Sequence, residues 1–392
     1  MPRPWLIYLL FCSFAHAQLE ARFSLAKEKY MAGEPVLLQY TVRNVGTQPM
    51  TILAADPVSF CSRYLVKVNR TDVPEVHDCG GGFGGSCLSS SATLKPKEAR
   101  TEYFLVNYHE DMRTPGSYHI SAGRELEPWT DPDLTKLRLG PKLQTSGDFD
   151  IQIAEADSGQ LRSILLPYFA DLTGSHDPQR LNLAYRVVER LSSAAVEDVV
   201  LKLRDDPRTR EIAVPALKSA NTPATRKQLA EIATGDTDGR FAAAGALGDS
   251  GDRSYWQALR SLSVRQPSGQ AGGFISGAAR LGGEESLPWL SELLRSPDKK
   301  TRADAVYALQ LTGSRRAIPM LIDMITDPEV DIQTGAQVSL VQLTHHTFNP
   351  RQIVPADTAA AHAAWVQWWS RNSESAPIFK PGEYCGNALP LN

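Results

Sequence analysis

The sequence predicts a chain of two parts, an all-β sandwich followed by an all-α solenoid of stacked helix pairs. Three observations carry this reading. Apolar residues recur at alternate positions through much of the stretch up to Ile153, the period of half-buried strands. Beyond Gly159 the spacing becomes that of amphipathic helices. From Phe241 to Thr344 the helical pattern repeats, its Ala-rich runs closed by Leu247-Gly248, Leu281-Gly282, Leu311-Thr312-Gly313 and Leu343-Thr344. Pro288 and Pro319 stand 31 residues apart and each opens a second apolar run, so one unit is a helix pair.

Taken in order, residues 1–17 read as an export signal. Arg3 gives a positive start, Trp5 to Phe14 is largely apolar, and Ala15-His16-Ala17 offers small residues for cleavage before Gln18. The apolar run is too short to anchor in a bilayer, and no later stretch is long enough to cross one. Residues 18–154 form the sandwich, 155–350 the solenoid, and 351–392 a capping helix and tail. The 41 basic and 44 acidic residues are well mixed, which argues against a nucleic-acid partner. Cys61, Cys79, Cys87 and Cys385 follow the signal, and an even number in an exported chain points to two disulfides. Either Cys79 pairs with Cys87 and Cys61 with Cys385, or Cys61 joins one of the loop cysteines. A metal site is the weaker alternative, because paired short spacings are lacking.

In the first part, Phe23 and Leu25, then Val36, Leu38, Tyr40 and Val42, mark two strands either side of a turn at Met31-Ala32-Gly33-Glu34-Pro35. Pro49 to Leu53 begins another. Tyr64, Val66 and Val68 alternate, as do Tyr103 and Leu105, then Tyr118 to Ala122, and finally Phe149, Ile151 and Ile153. Glu125 to Gly147, with its prolines, reads as an extended loop before that closing strand. Gly33-Glu34-Pro35-Val36, Tyr40 to Gly46, Leu94 to Glu98 and Thr114 to Tyr118 together resemble the immunoglobulin-like modules of secreted bacterial proteins, among them the intracellular proteinase inhibitor family of Bacillus-type bacteria. The resemblance implies an immunoglobulin-like sandwich and places no inhibitory residue. The Gly-rich loop from Cys79 to Cys87 carries Phe83, either a presented anchor for a partner or a ring tucked against a sheet edge. Asn69-Arg70-Thr71 matches a glycosylation acceptor.

In the second part, Leu161, Ile164, Leu165, Tyr168 and Phe169 define one helix face, Leu183, Val187, Val188 and Leu191 the next, and Val196, Val199, Val200 and Leu203 a third. Asp205-Asp206-Pro207 and Asn221-Thr222-Pro223 are breaks, and Gly251 and Gly273 take positions between helices. Thr301 to Leu309, followed by Ala317 to Leu321, resembles the HEAT-like repeats grouped with the phycobilisome-lyase type. That resemblance implies a protein-binding surface; a lyase is a poor reading, because the repeats contain no cysteine. Ala243, Ala244, Ala246, Ala278, Ala279, Ala303, Ala305 and Ala308 allow close stacking. Arg240, Arg280 and Arg302 either line one face for an acidic partner or support adjacent loops.

Residues Asp357 to Ser370 form a helix whose heavy side is Trp365, Trp368 and Trp369, suited to shielding the solenoid's end. His345 and His346 are adjacent, so on a helix they diverge and make a poor metal pair. His109-Glu110-Asp111 is a lone polar triplet near a strand end. No metalloprotease, nucleophile-elbow or dinucleotide motif occurs, and no cofactor is implied. The expectation is a non-catalytic protein- or peptide-binding scaffold of the periplasm or cell exterior. The alternatives are a structural envelope protein, an exported protease inhibitor, or a hydrolase with a site assembled from distant residues.

Overall fold

The computed structural model describes residues 18–54, 64–71, 90–108, 112–129, 142–235, 239–267, 269–348 and 357–379. An N-terminal β-sheet region is followed by an α-helical region. The strands are β1 (Leu19–Leu25), β2 (Lys29–Met31), β3 (Leu37–Asn44), β4 (Met50–Ala54), β5 (Tyr64–Arg70), β6 (Ser90–Leu94), β7 (Ala99–Leu105), β8 (Gly116–Leu126) and β9 (Leu143–Ala154). They make a three-stranded sheet in the order β1-β3-β7, a four-stranded sheet β2-β9-β8-β5 and a ribbon β4-β6. Only the short β2–β9 pairing among these is parallel. All three sheets contribute to one apolar core that includes Tyr40, Ile52, Tyr64, Phe104, Ile120 and Ile151. The Tyr40 and Tyr64 rings meet edge to face at 5.8 Å across it.

Several sequence expectations shift here. On β7 the inward residues are Glu102 and Phe104, while Tyr103 points outward and Leu105 packs into the helical core instead. The charged Glu102 faces inward because Arg124 of β8 waits for it there: Arg124 Nη1 donates to Glu102 Oε2 at 2.6 Å and to the Tyr64 hydroxyl at 2.9 Å. Nη2 donates to the Leu53 carbonyl at 2.9 Å, and the guanidinium lies 4.5 Å over the Tyr40 ring. The expected loop from Glu125 to Gly147 is shorter than the alternation suggested, because β8 and β9 pair out to Leu126 and Leu143. Their cross-strand partners there are polar on the solvent face and supply no apolar rhythm.

The described residues hold no disulfide bond. Cys61, Cys79, Cys87 and Cys385 all lie outside them, and the expectation of two disulfides is withdrawn. The export signal, Phe83 and the His109-Glu110-Asp111 triplet also lie outside the described residues.

The helices are α1 (Ser158–Gly174), α2 (Pro178–Leu191), α3 (Glu197–Val200), α4 (Arg210–Ala220), α5 (Pro223–Thr234), α6 (Arg240–Asp249), α7 (Trp256–Ser263), α8 (Gly272–Gly282), α9 (Leu287–Leu293), α10 (Lys299–Leu311), α11 (Ala317–Asp323), α12 (Val330–Thr344) and α13 (Thr358–Asn372). The even-numbered helices from α2 to α12 stack on one another as a first layer. The odd-numbered ones from α3 to α11 form a second layer, touching their first-layer partners more than each other, and α13 packs on α11 and the turn that follows it. The expected break at Asn221-Thr222-Pro223 is a helix boundary with a mechanism. Asn221 closes α4 in the left-handed region at φ 46°, and Thr222 with Thr225 forms a reciprocal capping box opening α5.

The tightest crossing is between α6 and α8, where glycines let backbones touch. A Cβ on Gly273 would sit 2.3 Å from the Phe241 carbonyl oxygen, and one on Gly277 would sit 2.4 Å from that of Ala244. Gly273 therefore lies inside a helix at a crossing, not between helices. Of the stacking alanines, Ala243, Ala244, Ala246, Ala278, Ala279, Ala305 and Ala308 are buried, whereas Ala303 is exposed.

The two regions meet in a packed joint. A 3-10 turn, Val106–Tyr108, follows β7 and rests on α2. Asn107 is buried and binds the entry to β3 from both sides, accepting from Val36 N at 3.0 Å and donating to Glu34 O at 2.7 Å. Tyr108 donates to Glu189 at 3.2 Å, and Arg113 donates to the Arg190 carbonyl at 2.8 Å.

Candidate binding surface

Among the described residues, first-layer helices leave a face to solvent where Ala242, Ala303 and Tyr307 are exposed. Arg240, Arg280 and Arg302 do not line a single row on it. Arg302, near the start of α10, forks onto Asp327 with Nε–Oδ2 2.8 Å and Nη2–Oδ1 3.1 Å, and donates to the Ser296 carbonyl at 2.9 Å. Burial pushes the Asp327 carboxyl up, but the Arg302 hydrogen bonds and the Glu329 amide outweigh it and hold the group below the usual range. Arg302 thus ties one inter-repeat loop to the next. Arg240, opening α6, bonds Gln270 Oε1 at 2.9 Å and lies 4.7 Å over the Phe241 ring, on the same edge.

Arg280 is placed differently, in the last turn of α8. It forms an ion pair with Asp249, the last residue of α6, and Lys218 Nζ of α4 reaches the other Asp249 oxygen at 2.5 Å. Three successive first-layer helices therefore converge on one carboxylate. Arg190, exposed in the last turn of α2, continues the series. Burial holds the Lys218 ammonium below its ordinary pKa, and the charges of Arg280 and Arg190 push it the same way. Burial also lowers Arg280, with Tyr307 opposing. Along this face the floor is small: Ala242 and Ala303 are exposed, a Cβ on Gly245 would meet open space, and Tyr307 stands 52% exposed. Sequence reasoning missed Lys218 and Asp249, because only the stacking of repeats places helix ends about 30 residues apart side by side.

Two further clusters have chemistry-bearing groups. On the solvent face of β8 and β9, His119 Nδ1 is 2.8 Å from Asp150 and its Nε2 is 3.5 Å from Asp148. Ser121 donates to Asp148 at 2.8 Å. Both imidazole nitrogens face carboxylates and the hydroxyl bonds a carboxylate, so no imidazole is positioned to take the serine proton. At the C-terminal end, His345 stacks on Phe379 at 3.5 Å and His346 on Trp368 at 4.3 Å, with Trp365 and Phe348 edge-on to His346. Burial lowers the His346 pKa. Trp365 is buried, Trp368 and Trp369 half-buried, and Arg315 clasps the carbonyls of Ser373 and Ala376. Among the described residues no group of three or more His, Cys, Asp or Glu could hold a metal ion, and no helix is long and apolar enough to cross a membrane.

Residues 272–341, spanning α8 to α12, match the family described as HEAT repeats. The chain therefore contains a HEAT-like repeat region. No curated protein matches the chain. Among solved structures, it is similar to the native conformation of E. coli alpha-2-macroglobulin at 11% identity, covering 90% of this chain and 26% of that one, with a TM-score of 0.20. Salmonella alpha-2-macroglobulin reacted with methylamine gives 12% identity, 82% and 26% coverage and a TM-score of 0.17. The chain spans about a quarter of the length of both.

Proposed function

We propose that this chain is a non-catalytic protein-binding scaffold, exported to the periplasm or cell exterior, whose first-layer solenoid face receives a protein or peptide. HEAT-repeat architecture is consistent with protein–protein interaction. The observation that carries the reading is the first-layer face across α6, α8 and α10, with Ala242, Gly245, Ser276 and Ala303 as a low floor and Tyr307 standing above it. Within this layer α6 and α8 approach to backbone contact at Gly273 and Gly277. A face built from stacked helices presents surface to an extended partner from several helices at once. The β-sheet region, proposed to be immunoglobulin-like, is fixed against α2 and orients that face.

Site-specific photocrosslinking tests the surface. Benzoylphenylalanine at Ala303 of the full chain is expected to capture a discrete species from envelope extract, while the same group at Val264, 76% exposed beyond α7 on the second layer, captures none. Equal capture at both positions, or capture only at Val264, would count against the face. Export is tested by fractionation with N-terminal sequencing, which should find the mature chain beginning at Gln18.

A further inference from the structure

We infer that the end of this face formed by α2, α4, α6 and α8 is a subsite for an acidic segment of the partner protein, read by Arg190, Lys218 and Arg280 around Asp249. The inference rests on the proposed binding face and adds the chemistry of what binds there.

What sets this place apart is that cations from neighbouring helices share one carboxylate. Among the described residues, other solenoid cations that meet a carboxylate include Arg162 with Asp198, Arg180 with Asp171, Arg208 with Asp206, Arg253 with Glu285 and Arg302 with Asp327, one to one. At the α4–α6–α8 ends two cations share one carboxylate, and Arg190 adds a third positive charge. Helix dipoles explain part of this, since cations favour helix C-termini. They do not explain all of it, because Asp249 needs one partner and has two.

The paired arginines Arg162, Arg208 and Arg302 have pKa values raised by their carboxylates, whereas Lys218 and Arg280 are lowered by burial. The excess of positive charge is read from the geometry, in which two cations face the single carboxylate of Asp249. Glu189, beside Arg190 in the chain, turns away to Arg186 and Tyr108, and Glu211 lies two turns back along α4, about 10 Å from Lys218. Adjacent stacked helices lie about 8–10 Å apart, so four helix ends span roughly 25–30 Å. An extended segment at about 3.3 Å per residue covers that with eight or nine residues. Such a segment with three or more glutamates or aspartates supplies the missing negative charge.

Fluorescein-labelled octaglutamate, titrated into the full chain and followed by anisotropy, tests the subsite against octaglutamine and a DNA oligonucleotide of equal charge. Octaglutamate is expected to bind, with affinity falling as salt rises. The Arg190→Glu/Lys218→Glu double variant should weaken it by at least about tenfold. Arg190 is exposed and the Lys218 side chain about half exposed, so both can be changed without opening the core, and a thermal melt verifies folding. Asp249→Asn, which removes the competing carboxylate, should bind about two- to fivefold more tightly. No octaglutamate binding, or equal binding by the double variant, overturns the inference; so does equally strong DNA binding, which would make the patch a general polyanion surface. A partner still crosslinked at Ala303 in the double variant would sink the acidic subsite and leave the binding face standing. Loss of the Ala303 crosslink in wild type would instead remove the face itself.

Discussion

Arg124 and Glu102 are both almost wholly buried, at 1% and 2% side-chain exposure, and they join β8 to β7 through the core of the β region. Arg100 completes the carboxylate with Nε–Oε1 at 2.9 Å. Removing one member of a buried pair strands the other, at a cost of about 3–5 kcal/mol, whereas replacing both by apolar residues of similar volume can be neutral. Glu102→Leu is therefore expected to lower stability to denaturant by about that amount, and Glu102→Leu/Arg124→Met to recover most of it. Equal losses in the single and double variants would show that the pair is not coupled. This arrangement was illegible in the sequence, because Tyr103 and Leu105 supply the apolar rhythm while the inward phase is carried by a glutamate. His119, on the solvent face of β8, tests the opposite case. Its hydrogen bond to Asp150 raises its pKa above 6.5, with Asp148 adding to the effect. Folded-state pKa above the unfolded value means its contribution is complete below about pH 6.5 and fades as pH rises through the folded value. An NMR titration should place the His119 midpoint above 6.5 and return it toward 6.5 in Asp150→Asn. A wild-type midpoint at or below 6.5 would mean that the cross-strand pair does not form in solution.

Among elements, the α6–α8 crossing sets how closely the repeats stack. The Ala-rich runs made the stacking readable, since small residues at recurrent positions have few other uses in a helix pair. The glycines were not readable in the same way: Gly273 looked like a break, and nothing in composition separates a glycine at a crossing from one at a turn. Space around each decides it. Gly277→Ala puts a Cβ 2.4 Å from the Ala244 carbonyl oxygen, and backbone must move to admit it. The expected loss is about 1–3 kcal/mol. Gly245→Ala in α6 meets nothing within 4 Å and gains the helix propensity of alanine, a stabilisation of up to about 1 kcal/mol. Thermal melts of the two variants should therefore move in opposite directions. A Gly277→Ala chain as stable as wild type would show that the backbones are not in contact there.

For the whole molecule, the junction in sequence and the joint in space are different things. The change of periodicity near Ala154 to Gly159 was visible, and β9 ends at Ala154 with α1 beginning at Ser158. The residues that lock the two regions come from the far end of β7, some 50 positions earlier, and only the sheet order brings them there. Leu105 enters the helical core, Asn107 ties Glu34 and Val36 to that turn, and Arg113 reaches the carbonyl of Arg190 and the hydroxyl of Ser219. A joint with buried apolar and hydrogen-bonded contacts transmits unfolding from one side to the other, so the full chain should melt as a single calorimetric transition. Asn107→Ala leaves a buried amide and a buried carbonyl without their partner, a loss of about 2–4 kcal/mol concentrated at the joint. Combined with Arg113→Ala, it should split the transition in two, the helical region and the β region then melting separately. Two transitions already in the wild-type chain would mean that the regions fold as independent bodies, and the β region could not then hold the first-layer face in a fixed orientation toward a partner.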